Sequence, residues 1–172
     1  IHNEDGYYEA AEDLNRYGKL LAEEGLKLYY HNHHFEFEKF RGKTGFELLV
    51  ENTDPKYVGF EIDVHWIQRA GHDPVKWLQR LVGREEMVHL KDYRIYFPDG
   101  EPSQSIFHQE QCIQFAEIGE GNLDMKAIIE TAVAGGAVYL PIEQDQCYGR
   151  DPFDCIKISV ANIKAMGFEA YL

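Results

Sequence analysis

A chain of 172 residues that is 44% hydrophobic and 13% aromatic has enough apolar material for one core, which excludes a disordered linker or tail. Thirty acidic residues against seventeen basic ones give a formal charge of −13, and that sign repels phosphate backbones and anionic lipid, so nucleic-acid and membrane-surface partners are disfavoured. Cys112, Cys147 and Cys155 are odd in number and lack CxxC spacing, which argues against a disulfide framework or a zinc knuckle and for a reducing, cytoplasmic home.

Apolar residues Ala10, Ala11, Leu14, Leu20 and Leu21 recur at helical spacing between Tyr7 and Glu24, and Gly25 supplies a stop. A strand is expected at once after it, from Leu26 to His31. Thr44 and Glu47 have capping-box spacing ahead of a short helix, FELLVEN, which leads to a second strand from Tyr57 to Val64. Asp73-Pro74 places an N-cap before a proline at the first helical position, and the helix runs to Gly83. A third strand is expected from Met87 to Leu90. The polar stretch from Lys91 to Gly121 exceeds an ordinary connection and reads as a functional loop or a lid. A helix from Asn122 to Gly136, a fourth strand from Val138 to Glu143 and a last helix from Asp151 to Gly167 complete the chain. No run of about 18 apolar residues and no basic-then-apolar leader occurs, and the start at Ile1 rather than Met leads us to expect a fragment or a processed piece.

Helix and strand alternate four times across residues 1–172, the pattern of a single α/β domain with parallel strands joined by crossover helices. Each expected strand ends in polar residues: His31, Asn32 and His33; Asp63 and His65; His89 and Lys91; Glu143 and Asp145. Parallel strands direct their carboxyl ends to one face, where α/β active sites are built, so four separated positions converge on one pocket. The period of two along a strand puts His31 and His33 on one side and His34 on the other.

Each residue also has a plain structural reading. Asp63 can be a helix cap, His89 a satisfied core histidine, and Lys91 with Asp92 a solvated pair at a loop start. Glu143 is harder to explain away, because a carboxylate at the end of a buried strand is costly without a partner. Asp, His and Glu together form a mixed oxygen and nitrogen set suited to one divalent ion, Mn, Co, Zn, Fe or Mg, with no thiolate offered. Lys91 beside such an ion would stabilise a developing oxyanion. Trp66 reads as a wall of a sugar pocket and Trp77 as core. The glycine pair in AEIGEGNLD reads as a turn and helix cap rather than a phosphate cradle, with Glu117 close enough to touch substrate.

YHNHHFEF, GFEIDVHWIQRAGHDPVKWL, MVHLKD, IGEGNLD and PIEQD, in that order, resemble the sugar phosphate isomerase/epimerase family of xylose isomerase-like TIM barrels. The resemblance implies a (β/α)8 barrel with one divalent metal held at the ends of strands five to eight. A barrel needs about 250 residues, so the implied piece is the C-terminal half, about strands five to eight with their helices. Such an open half exposes strand edges, and it is expected to dimerise, aggregate or depend on the absent half, and to be inactive alone.

Carried onto this chain, the implied ligands are Asp63, His89 and Glu143, with the fourth among His31, His33 and Glu36, and His31 standing where the family often has Glu. Trp66 occupies the position three after Asp63 where the family often has His, with His65 one place earlier. The implied activity is isomerisation or epimerisation of a sugar or sugar phosphate by proton transfer through a metal-stabilised enediolate. Glu143 is the expected base, Glu36 or His31 its acid partner, and Lys91 the oxyanion cation, with His33, Asn32, Trp66, His65 and Glu117 as substrate contacts. A keto-cyclitol dehydratase or a 3-keto-sugar lyase would use the same site, and a non-catalytic sugar-binding domain would keep only the scaffold.

Overall fold

The computed structural model describes residue 1, residues 3–96 and residues 113–172. Helix α1 (Glu4–Glu23) is capped by Asn3, whose side chain accepts from the Gly6 amide, and buries Tyr7, Ala11 and Gly18 along one stripe. Gly18 has to be a glycine, since a Cβ there would meet the Tyr57 carbonyl at 2.7 Å. Strand β1 (Leu28–His31) follows, and then a 3-10 turn (Phe35–Phe37) and a small hairpin of β2 (Lys39–Phe40) and β3 (Lys43–Thr44). The capping box expected from sequence is present at α2 (Gly45–Asn52), where Thr44 and Glu47 satisfy each other's amides.

Strand β4 (Val58–Asp63) is flanked in parallel by β1 on one side and by β5 (Met87–His89) on the other. Its alternation separates two faces. Phe60 and Ile62, with Tyr30 of β1 and Val88 of β5, belong to the core shared with Phe46 and Leu49 of α2, Leu78 of α4 (Pro74–Arg80) and Ile128 of α5 (Met125–Gly135). Glu61 and Asp63 turn to the opposite face. The register pairs His31 with Glu61 and Asp63 with His89, so four polar side chains from three strands stand side by side there.

Sequence expectation and structure differ in three places. The strand expectation to Val64 overran by one residue: α3 (Val64–Arg69), a short helix, begins immediately after Asp63, which caps it. The fourth strand expected from Val138 to Glu143 is reduced to two isolated parallel bridges, Met87 to Tyr139 and Leu90 to Ile142. The segment still follows β5, with Val88 and Leu90 amides donating to the Tyr139 and Pro141 carbonyls and the Glu143 amide to Leu90. Pro141 has no N–H to return to the ladder, so regular pairing is broken there. The stretch from 91 to 121 is the third place. Its described ends form an antiparallel pair, β6 (Asp92–Ile95) with β7 (Ile113–Ala116). The rest of the expected lid, 97–112 with Cys112, lies outside the described residues.

The last helix is α6 (Pro152–Ala165), opened by Asp151 and Pro152 as the sequence predicts. The described residues thus form an α/β arrangement with a parallel sheet and no closed barrel. No helix among them is long and apolar enough to cross a membrane.

Candidate metal centre

At the carboxyl edge of the sheet, donor atoms of His31, Asp63, His89 and Glu143 all lie within 4.8 Å of one another. Each is delivered by a different segment: β1, β4, β5 and the chain after Pro141. Asp63 divides its two oxygens between two tasks. Oδ1 caps α3, accepting from the His65 amide at 2.9 Å and the Trp66 amide at 3.3 Å. Oδ2 is buried without a hydrogen-bond donor, 3.5 Å from His31 Nε2 and 3.6 Å from Lys91 Nζ. The cap reading and the ligand reading of Asp63 are therefore both supported, one on each oxygen.

A buried carboxylate oxygen and a buried imidazole nitrogen left unsatisfied in one spot are costly unless a cation completes them. His89 Nδ1 also sits 2.6 Å from Glu143 Oε2, a hydrogen-bond separation that needs a proton between the two lone pairs. Two imidazoles and two carboxylates suit a borderline divalent ion, so the donor set fits the expected metal. Among His31, His33 and Glu36, the grouping contains His31.

Lys91 reaches the same place from beyond β5. Its Nζ lies 2.9 Å from Asp145 Oδ2 and 3.4 Å from Glu143 Oε1, over the rings of Trp66 and Phe115 at 5.0 and 5.1 Å. Burial opposes its charge, but Asp145, Asp63 and Glu143 outweigh burial and hold its pKa above that of an ordinary lysine. The pKa of His31 is likewise raised by the neighbouring Asp63 carboxylate, against burial that would lower it.

The remaining expected residues distribute unevenly. The His33 ring stands between His31, Phe35 and Trp66, at 4.9, 5.4 and 5.4 Å, and forms a wall of the site with Trp66. Asn32 is fully buried and exchanges hydrogen bonds with the Asp63 backbone at 3.0 and 3.3 Å, so both ends of its amide are engaged there. His65 is sealed among Trp66, Tyr93 and Phe115, and burial pushes its pKa down to about 4, so it is a neutral buried ring.

Glu36 is drawn away from the centre. It is fully buried and accepts from the Tyr30 hydroxyl at 2.8 Å and from the His33 amide at 2.9 Å, so both oxygens are committed to bracing the turn after β1. Glu117 is paired with Arg150 at 2.5 Å and nearly buried, and it is not among the four grouped donors. Two residues of the site were given no role by the sequence reading: Asp145, noted there only as a strand-end residue and here the nearest partner of Lys91, and Glu61, which contacts His89 Nε2. Glu61 was signalled only by its period, two residues before Asp63 on a strand that is otherwise apolar.

A parallel sheet thus carries, at its carboxyl edge, a mixed imidazole and carboxylate group able to hold a metal ion. No family model matches the chain. It is similar to inosose dehydratase of Geobacillus thermodenitrificans, 32% identical over 127 residues that cover 73% of this chain and 42% of that protein. It is also similar to inosose dehydratase of Lactiplantibacillus plantarum, 29% identical over 161 residues, 91% of this chain and 53% of that protein. Among solved structures, a sugar phosphate isomerase/epimerase from Parabacteroides distasonis superposes with a TM-score of 0.77 at 28% identity, covering 98% of this chain and 55% of the other. A structure of L-ribulose 3-epimerase shares the fold with a TM-score of 0.68 at 16% identity, covering 98% and 56%. The chain spans about half the length of the curated relatives it matches. The family resemblance read from the motifs is borne out by these relatives.

Proposed function

We propose that the chain carries the metal-binding and proton-transfer half of an enzyme that dehydrates a keto-cyclitol of the inosose type. The observation that supports this most is the convergence of His31, Asp63, His89 and Glu143 within 4.8 Å beside a buried lysine. The names of the curated relatives favour dehydration over the isomerisation that the motifs first suggested. A divalent ion held by those four side chains would polarise a ketone oxygen and stabilise the negative charge that develops on it as the neighbouring carbon loses its proton.

The protein's own groups divide the remaining tasks. Glu143 has a side chain about one-third exposed at 34%, so it is open to substrate, and it removes the proton from the carbon next to the ketone. Lys91 sets its fixed charge on the oxygen side. His33 and Trp66 pack against the ring of the substrate and shield it from water. The proton taken by Glu143 then leaves with the β-hydroxyl as water, giving dehydration, or returns to the adjacent carbon, giving isomerisation. Both readings share the first step.

An uncharged polyol fits better than a phosphate ester. Glu61, Asp63, Glu143 and Asp145 surround the site with Lys91 as their counter-cation, an environment that repels a dianion. The test is the full-length, metal-loaded enzyme that contains these 172 residues, with an inosose in D2O, followed by proton NMR. Deuterium entry next to the ketone with loss of water supports dehydration, deuterium entry with an isomeric ketone supports the second reading, and Glu143→Gln should abolish either. A loaded centre that catalyses neither would leave a sugar-binding role.

A further inference from the structure

His89 is held from both sides. Its Nδ1 faces Glu143 Oε2 at 2.6 Å, and its Nε2 contacts Glu61 Oε1. Glu61 stands one register step below Asp63 on the same face of β4, opposite His31 on β1 and Met87 on β5, and it is outside the four-donor group. A carboxylate oxygen accepts, so each contact calls for a hydrogen on the ring nitrogen it meets, and a neutral His89 has one hydrogen for the two. With that hydrogen on Nε2 toward Glu61, Nδ1 is the atom whose lone pair turns toward the cluster.

The alternative arrangement shows what Glu61 prevents. Glu143 competes for the same hydrogen from the other edge of the ring. With Glu61 absent, a neutral His89 satisfies Glu143 by carrying its hydrogen on Nδ1, and one hydrogen bond then withdraws two donors from the cluster together. We propose that Glu61 is a positioning residue that holds the His89 hydrogen on Nε2, keeping Nδ1 and Glu143 free for a divalent ion; this rests on the metal-centre reading above. Carboxylates that orient metal-binding imidazoles in this way typically change affinity by about 10–100-fold when removed.

The test uses zinc, with affinity measured by competition against a chromogenic chelator and the ring read by 15N NMR of the zinc-loaded protein. Glu61→Met removes the acceptor while filling the volume, and Glu61→Gln keeps an acceptor in place. We expect near-stoichiometric zinc and an Nε2–H ring in the unmodified protein, a loss of affinity on the order of 10–100-fold in Glu61→Met, and recovery to within a few-fold in Glu61→Gln. Zinc binding by Glu61→Met equal to that of the unmodified protein would overturn the role of Glu61 while leaving the centre standing. An Nδ1–H ring in the unmodified zinc-loaded protein would do the same, with or without a folded Glu61→Met variant. Absence of zinc binding by the unmodified protein would overturn the centre, and the proposed role with it.

Discussion

Lys91 shows how a single side chain holds the site together. It brings one positive charge to Asp63, Glu143 and Asp145, and its own side chain is 2% exposed. Removing one member of a buried ionic group leaves the others uncompensated, which costs roughly 3–5 kcal/mol when all members are buried. Asp145 and Glu143 are each about one-third exposed, so the lower end applies: Lys91→Met should lower the stability of the metal-free protein by about 3 kcal/mol. Urea unfolding with chelator present measures it, and a change below about 1 kcal/mol would mean that solvent already screens the cluster. Asn32 offers a second test at this scale. Its amide closes a ring of two hydrogen bonds on the Asp63 backbone in full burial, so Asn32→Ala should cost about 1–3 kcal/mol and also weaken metal binding, whereas a pure substrate contact would leave stability unchanged.

Among the elements, the termini are where the sequence was most informative. Asn3, Thr44, Asp73, Asp124 and Asp151 all accept from the first-turn amides of their helices, and three of those five starts, Thr44, Asp73 and Asp151, were readable from spacing and from proline placement. The strand ends were legible for the same reason that the site was: period two and a shared carboxyl edge put His31, Asp63 and His89 together before any coordinates. What was not legible depended on three-dimensional partners. Glu36 looks like a candidate acid until the Tyr30 hydroxyl is seen to claim it, Pro141 interrupts a strand that hydrophobicity alone would continue, and Glu61 gains its meaning only from His89 across the sheet.

Two predictions belong to these elements. Asn accepts at an N-cap as well as Asp does, so Asp63→Asn should fold with α3 intact and lose the metal, while Asp63→Ala should lose the metal and an additional 0.5–2 kcal/mol or so of stability. The second concerns Glu47, whose pKa burial would raise but whose bonds to the Thr44 amide, Arg80 and the Thr44 hydroxyl bring below its ordinary value near 4.5. A carboxyl depressed in the folded state binds protons more weakly there than in the unfolded chain. Its contribution is complete above pH 4.5 and disappears as pH falls through the lower folded value. Urea midpoints taken at pH 6 and below pH 4 should therefore fall less steeply for Glu47→Gln than for the unmodified protein, and parallel slopes would rule the contribution out.

For the molecule as a whole, the decisive quantity is the coupling between metal and stability. The chain carries a formal charge of −13, and its carboxyl edge gathers Glu61, Asp63, Glu143 and Asp145 around Lys91. Because His31, Asp63, His89 and Glu143 come from β1, β4, β5 and the segment beyond Pro141, unfolding disperses the donor set, so an ion that binds it binds only the native state. Such binding at 100 times the dissociation constant adds about 2.7 kcal/mol. In a domain of this size each kcal/mol moves the melting temperature by about 2–4 °C, so the expected rise is roughly 5–10 °C. Calorimetry with manganese, cobalt or zinc should show the rise, EDTA should reverse it, and Asp63→Asn should not show it even though its fold is kept. A rise of equal size in Asp63→Asn would place the ion elsewhere on this acidic surface, and the absence of any rise with all three metals would rule the metal centre out.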